Sequence, residues 1–346
     1  MGKVIFRDCD LRHTKTQGSL TCMIYQKNGI YVSFDDGTKF RLDPRTYSPD
    51  ETNLISHGHS DHLPTRCNGK SIVMSDVTQA LLKLRKRATA DMLTHGSVCA
   101  LDAGHVIGSH MFFLEGNQTI LYTGDFCTKE KFFSPGAQPV DVDVLIIEST
   151  FGSEQYIFPE TKKVTAQIHE CVASCIENDE SVIVLAYPFG KAQELTHLLQ
   201  DYAPFVDSGI FEINEALGNF GYRFRHQLFD AVSVKESREP FVLITSRRTK
   251  QLAALDEVFS GKKRTVAVSG WAINSGFKYF RGVDYAFALS DHADFRDLLN
   301  FIDRCNPDVV YTCHGSAKRF ARLVRDHLGI ETMPLEKGQH FLCNYA

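Results

Sequence analysis

Six residues, His57-Gly58-His59-Ser60-Asp61-His62, constrain this chain more than any others: they place four potential metal ligands directly after the apolar pair Leu54-Ile55. From a strand end, His57 and His59 project to one side while Asp61 and His62 follow the turn to the other, so one segment supplies two metals. Imidazole mixed with carboxylate favours zinc, with manganese or iron as the other choices. A solvated polar turn is the bland reading, but chance rarely sets three histidines and an aspartate this close. One segment cannot complete a two-metal site, so further ligands are expected at other strand ends. His105 in Gly104-His105-Val106, Asp125 in Thr123-Gly124-Asp125-Phe126 and His314 in Thr312-Cys313-His314-Gly315 each follow a strand-like run. Each also has a glycine beside it, which allows close backbone approach. A lone histidine near a strand is more often a core residue; together these three complete the pattern.

Composition limits what such a site can serve. A length of 346 residues makes one large or two interleaved domains. With 43% apolar and 23% charged residues the chain is neither disordered nor a disulfide scaffold. Lys+Arg 38 against Asp+Glu 42 leaves a net charge of −4, so any contact with nucleic acid must be local. No apolar run reaches the roughly 18 residues of a membrane span, and no membrane role is expected. The charged, alternating start Met1-Gly2-Lys3-Val4-Ile5-Phe6-Arg7-Asp8 is unlike a signal peptide, and Phe6 breaks a myristoylation motif. Ten cysteines without a Cys-x-x-Cys pair read as reduced, buried thiols of a cytoplasmic protein.

Two textures follow one another along the chain. Residues 3–43 alternate at period two around the turns Asn28-Gly29 and Asp36-Gly37, which predicts antiparallel strands. A helix is expected over 77–87, strands over 97–102, 111–115 and 119–123, and a buried strand over 144–147. From about 160 the pattern predicts a parallel-sheet unit: helix 162–177, strand 181–186, helix 190–201, strand 241–245, helix 249–259, strand 264–268. Strand 285–290, helix 294–304, strand 308–313 and helix 316–328 follow. No Gly/Ser/Pro-rich tether separates the two textures, so they are expected to pack closely.

His-x-His-x-Asp-His, then a Gly-His, a Gly-Asp and a late His in this order resembles the metallo-β-lactamase fold, an αββα sandwich with metals at its edge. Four further phrases narrow the resemblance to the β-CASP nucleases. They are Ile147-Glu148-Ser149-Thr150-Phe151-Gly152, Phe189-Gly190-Lys191-Ala192-Gln193-Glu194, Ser269-Gly270-Trp271 and Leu289-Ser290-Asp291-His292-Ala293-Asp294. The likeness covers about residues 40–315. It implies that His57, His59 and His105 bind one divalent metal and Asp61, His62 and His314 the other, with Asp125 bridging both. It further implies hydrolysis of phosphodiester bonds by a hydroxide bridging the two ions, zinc or manganese, with Asp61 among the catalytic residues. His292 would donate a proton to the leaving oxygen or steady the scissile phosphate, and Glu148 would orient and charge that imidazole.

Asp43, in Leu42-Asp43-Pro44, matches an early aspartate that supports the first ligand loop; a turn-initiating aspartate before proline is the open alternative. Lys191, Ser269 and Gly270 are the implied phosphate contacts, against the plain reading of an exposed lysine in a first helical turn. Arg223, Arg225, Arg247, Arg248 and Lys250, interleaved with Phe220, Tyr222 and Phe224, form a candidate basic and aromatic patch, against which stands a core role for the rings. His169, Cys171 and Cys175 read as an apolar helix face and not as a metal set.

The expected architecture is α/β: a metallo-β-lactamase αββα domain over 1–155 and 283–346, with an inserted β-CASP α/β cap over 156–282 and a cleft between them for the strand. The late His314 resembles RNA-processing members. The phrases at Glu148–Gly152 and Tyr156-Ile157-Phe158-Pro159 resemble compact prokaryotic members, either ligase-associated DNA exonucleases or archaeal messenger-RNA 3′-end-processing factors. The resemblance therefore implies a metal-dependent nuclease on single-stranded DNA or RNA, with a DNA exonuclease placed ahead of an RNA-processing enzyme, acting alongside repair or RNA-processing proteins. A lactam or thioester hydrolase of the same fold is the rival enzyme. A scaffold subunit is the non-enzymatic rival, and its mark would be lost ligands.

Overall fold

The computed structural model describes residues 20–65, 71–85, 95–230, 239–246, 261–336 and 340–345. The expected helix over 249–259, with Arg247, Arg248 and Lys250, lies outside them, as do residues 3–19. The chain divides into two units, Met1–Ile157 with His292–Ala346, and Phe158–Asp291.

Two six-stranded sheets make up the first unit. β1 (Leu20–Gln26), β2 (Ile30–Ser33), β3 (Lys39–Leu42), β4 (Thr52–Leu54) and β5 (Ile72–Val73) are joined by β18 (His340–Tyr345) in the order β18-β1-β2-β3-β4-β5. The turn between β1 and β2 holds Asn28 and Gly29 at φ 55° and 129°, conformations that favour this residue pair in a tight hairpin. The other sheet orders β6 (Val98–Asp102), β7 (His110–Glu115), β8 (Thr119–Tyr122), β9 (Val144–Glu148), β16 (Val309–Cys313) and β17 (Glu331–Pro334) as β17-β16-β9-β8-β7-β6. Strands β4, β5 and β17 are too short or too polar to show in periodicity.

The second sheet is buried on both faces. Phe112, Leu114, Tyr122, Val144, Ile146 and Tyr311 point toward Ile24, Val32, Phe40 and Leu42 of the first sheet, whereas Met111, Phe113, Leu145, Ile147 and Val310 point away. This is period-two alternation with both sets apolar. The far face is covered by α6 (Phe295–Cys305) and α7 (Ala317–Leu328), through Leu298, Phe301, Ile302, Phe320 and Val324. Behind the first sheet, α1 (Asp76–Leu84) starts at Ser75, whose Oγ accepts from Thr78 N, and lays Leu82 against Ile55, Ile72 and Met74. Each large side chain sealed this way contributes about 1.5–3 kcal/mol. The layers are therefore α, β, β, α.

The second unit is one parallel sheet: β10 (Ser181–Leu185), β11 (Phe205–Val206), β12 (Gln227–Leu228), β13 (Val242–Thr245), β14 (Lys263–Val268) and β15 (Tyr285–Phe287), ordered β12-β11-β13-β10-β14-β15. α2 (Thr161–Glu177), α3 (Lys191–Leu198) and α4 (Ser208–Gly218) cover one face, and the side chain of Phe277 in α5 (Phe277–Arg281) packs on the other. Cys175 is buried in this core with Cys171 packed against it, as an apolar helix face requires. The strand expected over 285–290 ends at Phe287 and pairs with β14, so it belongs to this unit. The division accordingly falls between Asp291 and His292, later than the expected 282/283, because the ladder to β14 supplies β15 with its backbone hydrogen bonds.

Cys22, Cys127, Cys171, Cys175, Cys305 and Cys313 carry free thiols. Cys99 is disulfide-bonded, which corrects the expectation of reduced thiols throughout. Among the described residues, no helix is long and apolar enough to cross a membrane.

Candidate metal centre

All the clustered groups sit where strands end. The loop after β4 carries His57, His59 and His62; the β6–β7 loop carries His105; Asp125 follows β8, Glu148 ends β9 and His314 follows β16. Gly124 (φ 52°) and Gly315 (φ 50°) flank Asp125 and His314 in the left-handed region. A Cβ on Gly315 would lie 2.3 Å from the Ser149 carbonyl oxygen, and Ser149 Oγ in turn donates to the carbonyls of Cys313 (3.0 Å) and His314. We expect Gly315→Ala to destabilise the protein by about 2–5 kcal/mol, backbone strain and overlap together, measured by chemical denaturation.

Ligand atoms of His57, His59, His105 and Asp125 lie within 4.8 Å of one another, and so do those of His62, Asp125 and His314. Asp125 is common to both groups, and to a third that it forms with Glu148 and His292. Its Oδ2 stands 3.7 Å from His57 Nε2, 3.8 Å from His105 Nε2 and 3.3 Å from His62 Nε2, while His105 Nε2 and His59 Nδ1 are 3.2 Å apart. A tetrahedral ion with ligands at about 2.0–2.1 Å sets ligand-to-ligand separations of about 3.3 Å. The residues therefore fit such an ion. The His57 ring agrees, because its Nε2 is buried and has no hydrogen-bond partner. Burial and the neighbouring imidazoles of His62, His59 and His105 hold His57 well below the ordinary histidine value, in the neutral form that binds metal. For Asp125, burial opposes ionisation, but His62, His292 and His57 outweigh it and hold the carboxyl well below the usual range.

Asp43 is the organiser of this loop. Its Oδ1 accepts from Ser56 N (2.7 Å), and its Oδ2 accepts from Ser56 Oγ (2.6 Å), His62 Nδ1 (2.7 Å) and Tyr122 OH (2.7 Å). With Nδ1 donating to Asp43, His62 presents Nε2 to Asp125. Ser56 Oγ also lies 2.9 Å from His57 Nδ1, which turns the lone pair of that ring to Nε2. The aspartate is held at φ 45° with its carboxylate buried inside this network. Asp43→Asn is expected to weaken metal affinity 10–100-fold with the fold retained, read by competition with a chromogenic chelator.

A second carboxylate–histidine pair adjoins the cluster. His292 Nδ1 stands 2.9 and 3.0 Å from the two oxygens of Glu148, which is 1% exposed and also accepts from Phe126 N (2.9 Å). Ala293 N donates to Phe126 O, and Asp294 caps α6 by accepting from Asp297 N, so the residues after His292 are pinned on both sides. The His292 and His105 rings are 4.6 Å apart between centroids.

Other expected residues are placed differently. The Asp61 side chain is 74% exposed, 3.9 Å from His62 Nε2, at the rim and outside the 4.8 Å groups. Lys191 is 3% exposed, and its Nζ is bound by Glu194 (2.5 Å) and Asp291 (2.9 Å), so its charge is neutralised within the second unit. Ser269 Oγ caps the turn that begins at the buried Gly270. Arg223 and Arg225 are exposed, Phe220 is exposed, and Tyr222 and Phe224 are half-buried between them. Ser56, Tyr122 and Arg45 escaped the sequence reading. Arg45 Nη1 donates to the Ser60 and Asp61 carbonyls (3.0 and 2.7 Å), and nothing in Asp-Pro-Arg signals that reach.

Comparison with known proteins shows what the chain is similar to. Residues 284–334 match the family model described as a Zn-dependent metallo-hydrolase RNA specificity domain. A probable DNA ligase of Opitutus terrae is 31% identical over 82% of this chain and 28% of its own length. Cleavage and polyadenylation specificity factor subunit 3 of Dictyostelium discoideum is 26% identical over 72% of this chain and 39% of its own. An RNase J-like protein of Methanocaldococcus jannaschii is 38% identical over 29% of this chain and 25% of its own. The chain thus spans well under half of these relatives. A crystal structure of a protein of unknown function from Enterococcus faecalis shares the fold, with a TM-score of 0.60 at 12% identity, over 94% of this chain and all of that one. The ligand cluster fits divalent metal, and the family model that matches is that of a Zn-dependent metallo-hydrolase. The chain belongs to the metallo-β-lactamase fold family, in its β-CASP nuclease branch.

Proposed function

We propose that this chain hydrolyses phosphodiester bonds in single-stranded nucleic acid, as a DNA exonuclease using two zinc or manganese ions. The observation that carries the reading is Asp125 shared between two imidazole groups, with the Glu148–His292 pair beside it. Divalent ions at such a centre supply Lewis acidity to the phosphoryl oxygens and activation of water. His57, His59, His105 and Asp125 would hold one ion and His62, Asp125 and His314 the other, with Asp61 contributing from the rim. Glu148 accepts a hydrogen bond from the protonated Nδ1 of His292 and stabilises the charged ring, so that Nε2–H donates its proton to the leaving oxygen. Asp43 keeps His62 in its ligand tautomer.

DNA is favoured because the likeness to the probable DNA ligase runs through most of this chain. RNA is the second reading, supported by the RNA specificity model over 284–334 and by the cleavage and polyadenylation factor. Lactam or thioester hydrolysis leaves the Glu148–His292 pair without a task. The deciding experiment supplies zinc or manganese and follows equal-length single-stranded DNA and RNA labelled at either end. A progressive ladder on DNA is the expected result. Preference for RNA moves the chain to transcript processing, and cutting neither while opening a chromogenic lactam overturns the nuclease reading.

A further inference from the structure

Tyr279 and Phe280 in α5 are 83% and 86% exposed, more than any other large apolar side chain among the described residues. Exposing two adjacent rings gains nothing for folding and marks a contact surface. Their flanking residues are cations. Among the described residues neither Lys278 nor Arg281 has a carboxylate partner; Lys278 Nζ lies 5.8 Å over the Tyr285 ring and Arg281 Cζ 5.9 Å over that of Phe277. Arg264 nearby is different, held by Glu180 through two 2.8 Å bonds and facing Asp284 at 3.6 Å. Between α5 and the outer strand β15 lies a depression of about 440 Å³, lined in part by Lys278, Tyr279 and Tyr285.

Protein contact surfaces exclude lysine from their centres. Here Lys278 adjoins one exposed tyrosine and stands over another. Accessible rings with solvated cations beside them suit an anionic polymer whose bases are unstacked. The chain's net charge of −4 offers no general attraction for such a polymer, so a local cation pair has to provide it.

We propose that the α5 face is a secondary platform for single-stranded nucleic acid, which stacks one base on each of Tyr279 and Phe280 and holds flanking phosphates on Lys278 and Arg281. It rests on the nuclease reading above for its choice of polymer. Fluorescence anisotropy of labelled oligothymidylate and oligouridylate, titrated with the full chain kept free of metal, reads the affinity without cleavage. The double variant Tyr279→Ala/Phe280→Ala is expected to weaken binding about tenfold or more. Lys278→Gln/Arg281→Gln is expected to weaken it and to make the slope of log affinity against log salt shallower by about 1.4. Loss on one polymer alone assigns the platform to that polymer.

None of these four residues belongs to the metal centre, so hydrolysis of bis(4-nitrophenyl) phosphate by the metal-loaded variants is expected to be unchanged, which also reports an intact fold. Unchanged affinity and salt slope in both variants would overturn the platform, while cleavage by the wild type keeps the nuclease reading. A wild type that binds through these residues but cuts neither polymer supports the platform and defeats the nuclease reading. Self-association lost in the aromatic variant, with oligonucleotide affinity unchanged, would give the face to a second copy of the chain and overturn the proposal.

Discussion

Replacing His292 by alanine is expected to lower strand cleavage about 10²–10⁴-fold while metal content stays at the wild-type level. The separation of effects follows from position. Ligand atoms of Asp125, Glu148 and His292 also lie within 4.8 Å of one another, but both Glu148 oxygens face His292 Nδ1 and one accepts from Phe126 N as well, whereas His57, His59, His105, His62 and His314 turn their imidazoles toward Asp125 and one another. Glu148→Gln should reproduce part of the loss, because an amide still accepts from Nδ1 but no longer charges the ring. Elemental analysis beside end-labelled cleavage assays makes the measurement. Cleavage at the wild-type rate in His292→Ala would remove it from the reaction.

Asp125→Ala should fail in both respects. Its Oδ2 lies within 3.8 Å of three imidazole nitrogens, and it is the residue common to both ligand groups. Without it, His57, His59 and His105 lose their carboxylate, and the His62 and His314 rings are left as a pair. We expect metal content well below two ions per chain and cleavage reduced more than about 10³-fold, a rise of about 4 kcal/mol in the barrier. Excess zinc or manganese should restore little, since the bridging position is gone. A variant holding one ion with full activity would eliminate the shared-carboxylate arrangement.

Much of this site was legible because its parts are local. His57, His59 and His62 lie within one turn after a strand, and the glycines beside Asp125 and His314 mark backbones that a Cβ would block. The unbroken apolar run of β9 likewise announced a buried strand. Asp43 was legible only as one of two readings, since the same residue before proline initiates turns; its four hydrogen bonds decide for the supporting role. Ser56 and Tyr122 gave no signal, because their partner is 13 and 79 residues away in sequence.

By itself, then, the sequence determined the candidate donors apart from Asp61, their order at the strand ends and the alternation of the two textures, each a property of residues within a few positions of one another. The tertiary structure alone decided what long-range pairing controls. It joined β18 to β1, gave β15 to the parallel sheet, and moved Asp61 to the rim. It buried Lys191 between Glu194 and Asp291, where a charge removed from water has to be matched by its opposite. It also left Tyr279 and Phe280 in solvent, although an apolar pair in a short helix reads as core, because which face of a helix is covered depends on what packs against it.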